Sequence, residues 1–78
     1  MSEFTRDQLE EIHCLALFDL NNTTEGLKVH NNARDETITA IKRLHEKGLI
    51  SQHDGGYLTS LGQEAAEFVN GLRTILRT

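Results

Sequence analysis

Apolar residues recur at helical spacing in three stretches of the chain and change to a shorter period in one. Leu9, Ile12, Leu15 and Ala16 lie a turn apart, with Leu17 and Phe18 widening the stripe. Thr5-Arg6-Asp7-Gln8 reads as a capping box, with Phe4 and Leu9 placed as a hydrophobic staple. Asp7, Glu10 and Glu11 sit in the first turns, where the helix dipole favours acids. A first helix is expected to end near Asp19, before Asn21-Asn22. Thr23 or Thr24 can cap a second, short helix through Glu25, Leu27, Lys28 and Val29, weakened by Gly26. Asn31-Asn32 breaks it, and Asn32 offers the next N-cap. A third helix is predicted over Ala33–Lys47, burying Ala33, Ile38, Ala40, Ile41 and Leu44, with Gly48 as its stop.

After Gly48 the pattern is that of strands. Leu49–His53 and Tyr57–Thr59 flank Asp54-Gly55-Gly56, a tight turn tolerant of positive φ. This hairpin, over about 49–59, leads into a last helix over about 60–76, opened by Ser60 with Gln63 as a second capping box. That helix is expected to bury Leu61, Ala65, Phe68, Val69, Leu72 and Ile75 or Leu76. Gly71 costs it about 1 kcal/mol, so the helix frays there or something packs closely. The stripe Phe68, Leu72, Ile75 and Leu76 has two readings: it covers the core, or its far end pairs with a second copy.

At 78 residues the chain fits one domain, residues 1–78, and its 37% apolar and 26% charged content suits a folded protein. No apolar run reaches bilayer-spanning length and no secretion-type N-terminus is visible. Cys14 is the single cysteine, so no internal disulfide can form and a reducing, cytoplasmic setting is expected.

The net charge of −4 counts against a protein dominated by nucleic-acid electrostatics. Its distribution changes the picture. Residues 1–27 carry Arg6 against Glu3, Asp7, Glu10, Glu11, Asp19 and Glu25. Residues 28–53 carry Lys28, Arg34, Lys42, Arg43 and Lys47 against Asp35, Glu36 and Glu46, together with His30, His45 and His53. A polyanion would meet the middle third.

Ile41-Lys42-Arg43-Leu44-His45-Glu46-Lys47-Gly48-Leu49-Ile50, followed by Asp54-Gly55-Gly56-Tyr57-Leu58-Thr59 and Leu61-Gly62, resembles the recognition helix, wing and following helix of many bacterial winged helix-turn-helix regulators. The whole chain is also similar to a small bacterial family of short proteins described as DNA-binding, in which Gly26-Leu27-Lys28-Val29-His30 and Asp54–Thr59 are the recognisable segments. The resemblance implies a mainly α fold with a small β-hairpin: helix, short helix, helix, two-stranded wing, C-terminal helix. It also implies a transcriptional regulator that reads double-stranded DNA with its third helix and touches the backbone with the hairpin. Lys28, Asn32, Thr39, Lys42, Arg43, Lys47 and His53 are the candidate contacts. Lys42 and Arg43 suit phosphates or a guanine edge, Thr39 can reach a base or a phosphate, and Asn32 can donate to phosphate.

Each has a plainer reading. The cations can be a solvated helix face with Lys42–Glu46 as an i, i+4 pair, and Asn32 simply a cap. Asp35 and Glu36 would repel phosphate at the start of the reading helix, and the wing tip has no Lys or Arg. About three to four phosphates could be neutralised per copy, so a useful DNA binder would dimerise. The alternative is a winged-helix protein-interaction module without DNA contact. His13-Cys14 lacks further ligands at zinc spacing, and Cys14 fits a small buried hydrophobe. His30 and His45 are expected to be buried or half-buried and hydrogen-bonded, and Tyr57 to pack over the hairpin. No phosphate loop, nucleophile elbow or spaced carboxylate pair is present, so neither an enzyme nor a cofactor or metal is expected.

Overall fold

The computed structural model describes residues 3–22 and 26–77. Among the described residues three helices and three short strands follow in the order α1 (Arg6–Leu15), β1 (Leu27–Lys28), α2 (Asp35–Glu46), β2 (Ile50–Gln52), β3 (Gly55–Leu58) and α3 (Ser60–Leu76). The fold is mainly helical, with one antiparallel sheet in the order β1-β3-β2.

The capping box forms as the sequence predicts: Gln8 N donates to Thr5 Oγ1 at 3.0 Å and Thr5 N to the Gln8 side chain at 2.9 Å. The helix it opens stops at Leu15, short of Asp19. Leu17 and Phe18 N–H groups turn back to the Cys14 and Leu15 carbonyls. This turn drops Phe18 into the core and leaves Leu17 exposed.

The short second helix is not formed where the chain is described. Leu27 and Lys28 instead pair with Gly56 and Gly55, and Val29 N donates to the Asp54 carbonyl at 2.8 Å. The Thr23 or Thr24 cap and Glu25 lie outside the described residues. Gly55 decides this pairing: its φ is +132°, and a Cβ there would meet the Leu27 carbonyl oxygen at 2.2 Å. A helix already weakened by Gly26 yields to a sheet edge that accepts its backbone.

The next helix begins at Asp35 rather than Ala33, with Arg34 and not Asn32 at the N-cap. Ala33 N bonds the His30 carbonyl in a preceding turn. The helix ends as expected in a Schellman motif: Gly48 has φ +81°, its N–H bonds the His45 carbonyl, and Leu49 N bonds the Leu44 carbonyl. The strands are displaced from their expected bounds, so that His53-Asp54 forms the turn and Gly55-Gly56 already belong to β3. The β2–β3 register shifts between Ile50 and Gln52, where Ser51 Oγ accepts from Tyr57 N.

Thr59, not Ser60, caps α3, accepting from Gly62 N at 3.1 Å. The same hydroxyl donates to the Gly48 carbonyl at 2.6 Å, tying the helix start to the hairpin base. The core comprises Cys14, Leu15, Phe18, Ala40, Ile41, Leu44, Ile50 and Ala66. From α3 it takes the small face: Gly62 and Ala66 are buried, while Ala65 and Val69 pack against it partly. Leu61, Phe68, Leu72, Ile75 and Leu76, expected inside, are exposed. The helix lies so close to the hairpin base that a Cβ on Gly62 would fall 1.9 Å from the Leu49 carbonyl oxygen, so large side chains are turned away.

Candidate nucleic-acid interface

The cations of the middle third divide between two sides of α2. One set faces α1. Glu11 is 7% exposed and lies on the core side of its helix, in line with Leu15 and Phe18. Its carboxylate accepts from Arg43 Nε at 2.8 Å and from Lys47 Nζ. Arg43 Nη2 also donates to the Asp7 carbonyl at 3.1 Å, and Arg34 pairs with Glu10 at 3.1 Å. Burial pulls the Glu11 carboxyl up, but the hydrogen bonds and charges of Lys47 and Arg43 outweigh it and hold the group below its usual pKa. The hydrogen bond to Glu11 likewise raises the Arg43 guanidinium, against a smaller desolvation effect. Arg43 and Lys47, two of the candidate DNA contacts, are thus engaged in joining α1 to α2. The acidic first third and basic middle third of the sequence are, in large part, partners of one another.

Thr39 is exposed on the same side, in a hollow lined by Arg6, Asp7, Glu10, Asp35, Glu36 and Arg43. Four carboxylates there repel a phosphate, and the hollow sets Thr39 beside Arg43 and apart from Lys28, Lys42 and His53.

The second set gathers on the opposite side. A groove of about 500 Å³ runs between β1 and its following turn, α2 and the hairpin turn. Lys28, Val29, His30 and Asn31 form one wall, Ile38, Ile41 and Lys42 the helical wall, and His53 and Asp54 the hairpin end. Three residues named from the sequence, Lys28, Lys42 and His53, come together here from three separate elements. No ion pair joins Lys42 to Glu46, and neither Lys28 nor Lys42 has a salt-bridge partner among the described residues. Among the described residues Asp54 is the one carboxylate lining the groove. Asn32 is exposed in the turn beyond it.

Sequence reasoning misses His30 and Asn31 as part of this groove, because the local pattern through Leu27, Lys28 and Val29 suits a short helix rather than a strand. It also misses Glu11 as the partner of Arg43 and Lys47. The signal for Glu11 was present, a carboxylate at i with Leu15 at i+4 and Phe18 at i+7 on an otherwise apolar stripe. His30 and His45, expected to be buried or half-buried, are both exposed.

Cys14 is 2% exposed, and burial pushes its thiol up to about 11. Its Sγ donates to the Thr37 carbonyl at 3.9 Å, a structural contact between α1 and α2. Among the described residues no group of three His, Cys, Asp or Glu side chains could hold a metal ion, and no helix is long and apolar enough to cross a membrane.

No curated protein and no solved structure matches the chain. Residues 2–77 match a family of unknown function (DUF5669), and the chain belongs to that family.

Proposed function

We propose that this domain binds double-stranded DNA through the groove between α2 and the β2–β3 hairpin, as a small winged-helix-like regulator. The observation that carries the reading is the convergence of Lys28, Lys42, His30 and His53 on one open groove, while the acids of α1 are occupied elsewhere. A helix and a hairpin flanking an open groove are the parts such readers set against phosphates and groove edges. The fold supports the winged-helix comparison at the α2–hairpin–α3 end and departs from it at β1, where a positioning helix would stand. Two lysines per copy imply weak attachment, at the feeble end of about 10⁻⁴–10⁻⁶ M without sequence preference.

Titration of a fluorescently labelled duplex at low salt tests this. Binding with a dissociation constant of about 10⁻⁴ M, weakened about tenfold or more by Lys28→Glu with Lys42→Glu, is the expected result. No binding, or binding indifferent to that pair, would sink it.

A second reading, a protein-interaction module that never touches DNA, draws on Asp35 and Glu36 at the start of α2 and on the engagement of Arg43 and Lys47 by Glu11. Chemical-shift mapping with duplex separates the two: perturbation confined to the groove residues favours DNA, and an unchanged spectrum favours this alternative.

A further inference from the structure

We infer that α3 pairs antiparallel with α3 of a second copy of this chain. The inference stands apart from the DNA reading. Leu61, Ala65, Phe68, Leu72 and Ile75 are spaced four, three, four and three residues apart, the spacing of a heptad seam. Apart from Ala65, which is half-buried at the edge of the core, this seam lies on the side of the helix turned away from the core. Leu61 is 53%, Phe68 71%, Leu72 52% and Ile75 68% exposed, and Leu76 beside them is 73% exposed. All residues from 71 to 77 are exposed, although the helix runs on to Leu76. Two helical turns therefore extend beyond the core of the protomer, where a short helix gains little stability by itself.

The size of this face fits a second copy. At roughly 150–250 Å² for a large side chain, those five exposures leave on the order of 600 Å² of apolar surface per copy. That is the top of the range for the largest patch on a monomer, and most of the ~800 Å² each partner contributes to a standard interface.

Opposed helix dipoles favour one direction, and the order of charges along α3 agrees with it. Glu64 and Glu67 lie in the first half of α3, and Arg73 and Arg77 at its end. Antiparallel helices bring unlike halves and opposed dipoles together, whereas parallel ones juxtapose like charges. Seam positions then layer as Phe68 on Leu72 of the partner subunit, and Ala65 on Ile75 of the partner subunit, with the crossing near Gly71. A Cβ at Gly71 would meet nothing within 4 Å in its own protomer, so the residue has no packing role there. At the crossing it lets the two backbones approach.

Light scattering on eluted protein, with cysteine cross-linking, tests the pairing. The chain is expected to run at twice its 8.8 kDa mass, and Phe68→Asp with Leu72→Asp at 8.8 kDa with unchanged helical circular dichroism. Phe68→Cys mixed with Leu72→Cys is expected to cross-link under oxidation, and Leu61→Cys alone is not. Buried Cys14 stays out of the reaction. A wild-type chain that remains monomeric at about 1 mM would overturn the inference and leave the face to a different protein. Ready self-cross-linking of Leu61→Cys would overturn the antiparallel arrangement. Duplex binding by a monomeric Phe68→Asp variant speaks to the groove alone, so the two proposals fail separately.

Discussion

Glu11 Oε2 accepts a 2.8 Å hydrogen bond from Arg43 Nε, joining the buried side of α1 to the last turn of α2. Lys47 closes on the other oxygen of the same carboxylate. Removing Glu11 leaves two cations facing each other beside the core. Glu11→Ala is expected to cost about 1–3 kcal/mol, because both cations retain some access to water. Thermal unfolding followed by circular dichroism should show a fall on the order of 4–8 °C per kcal/mol.

The same carboxylate makes stability depend on acid. Its pKa in the folded chain lies below its ordinary value, so its stabilising effect is complete above the unfolded pKa near ~4.3 and is lost as pH falls through the folded value. Urea unfolding between neutral and strongly acidic pH should show a decline that is shallower in Glu11→Gln. Parallel declines would disprove the assignment.

Arg43 and Lys42 are neighbours in sequence with opposite duties. Arg43→Ala should lower stability and leave duplex affinity of the folded protein unchanged. Lys42→Ala should do the reverse, as should Lys28→Ala. If each copy meets about two phosphates through its lysines, the plot of log affinity against log salt should have a slope of roughly −2 per copy and lose about 1 with each lysine removed. Fluorescence titration at several salt concentrations reads both quantities.

Cys14 should be unreactive in the native chain. A buried thiol whose pKa is about 11 holds almost no thiolate at neutral pH. Labelling by a disulfide reagent at pH 7 is expected to follow the unfolding rate and to jump when urea is added. Fast labelling in buffer would contradict the packing of α1 on α2.

Two glycines of α3 should respond oppositely to alanine. At Gly62 the added methyl would meet the Leu49 carbonyl oxygen, and displacement of the helix is expected to cost about 2 kcal/mol or more. At Gly71 it meets nothing in the protomer, so dilute, monomeric protein should gain about 0.5–1 kcal/mol. Urea midpoints of the two variants at low concentration check the signs.

The chain by itself determined what depends on neighbours within one or two turns. The Thr5–Gln8 box, the Gly48 stop and the Ala40-Ile41-Leu44 face are local bargains between a side chain and nearby backbone or a single buried stripe. The change of period after Gly48 fixed the hairpin for the same reason, though its turn moved to His53-Asp54.

Only the tertiary structure decided the rest. Leu27 and Lys28 are strand because Gly55 admits a third backbone, a partner nearly thirty residues away that no local preference encodes. The large apolar side chains of α3 are outside because close approach to the Leu49 carbonyl selects the small face, and spacing alone cannot rank two adjoining apolar faces. The division of the cations, with Arg43 and Lys47 on Glu11 and Lys28 and Lys42 on the groove, follows from how α1 and the sheet bracket α2. A count of charges along a sequence carries their number, whereas their availability depends on which opposite charges folding brings within bonding distance.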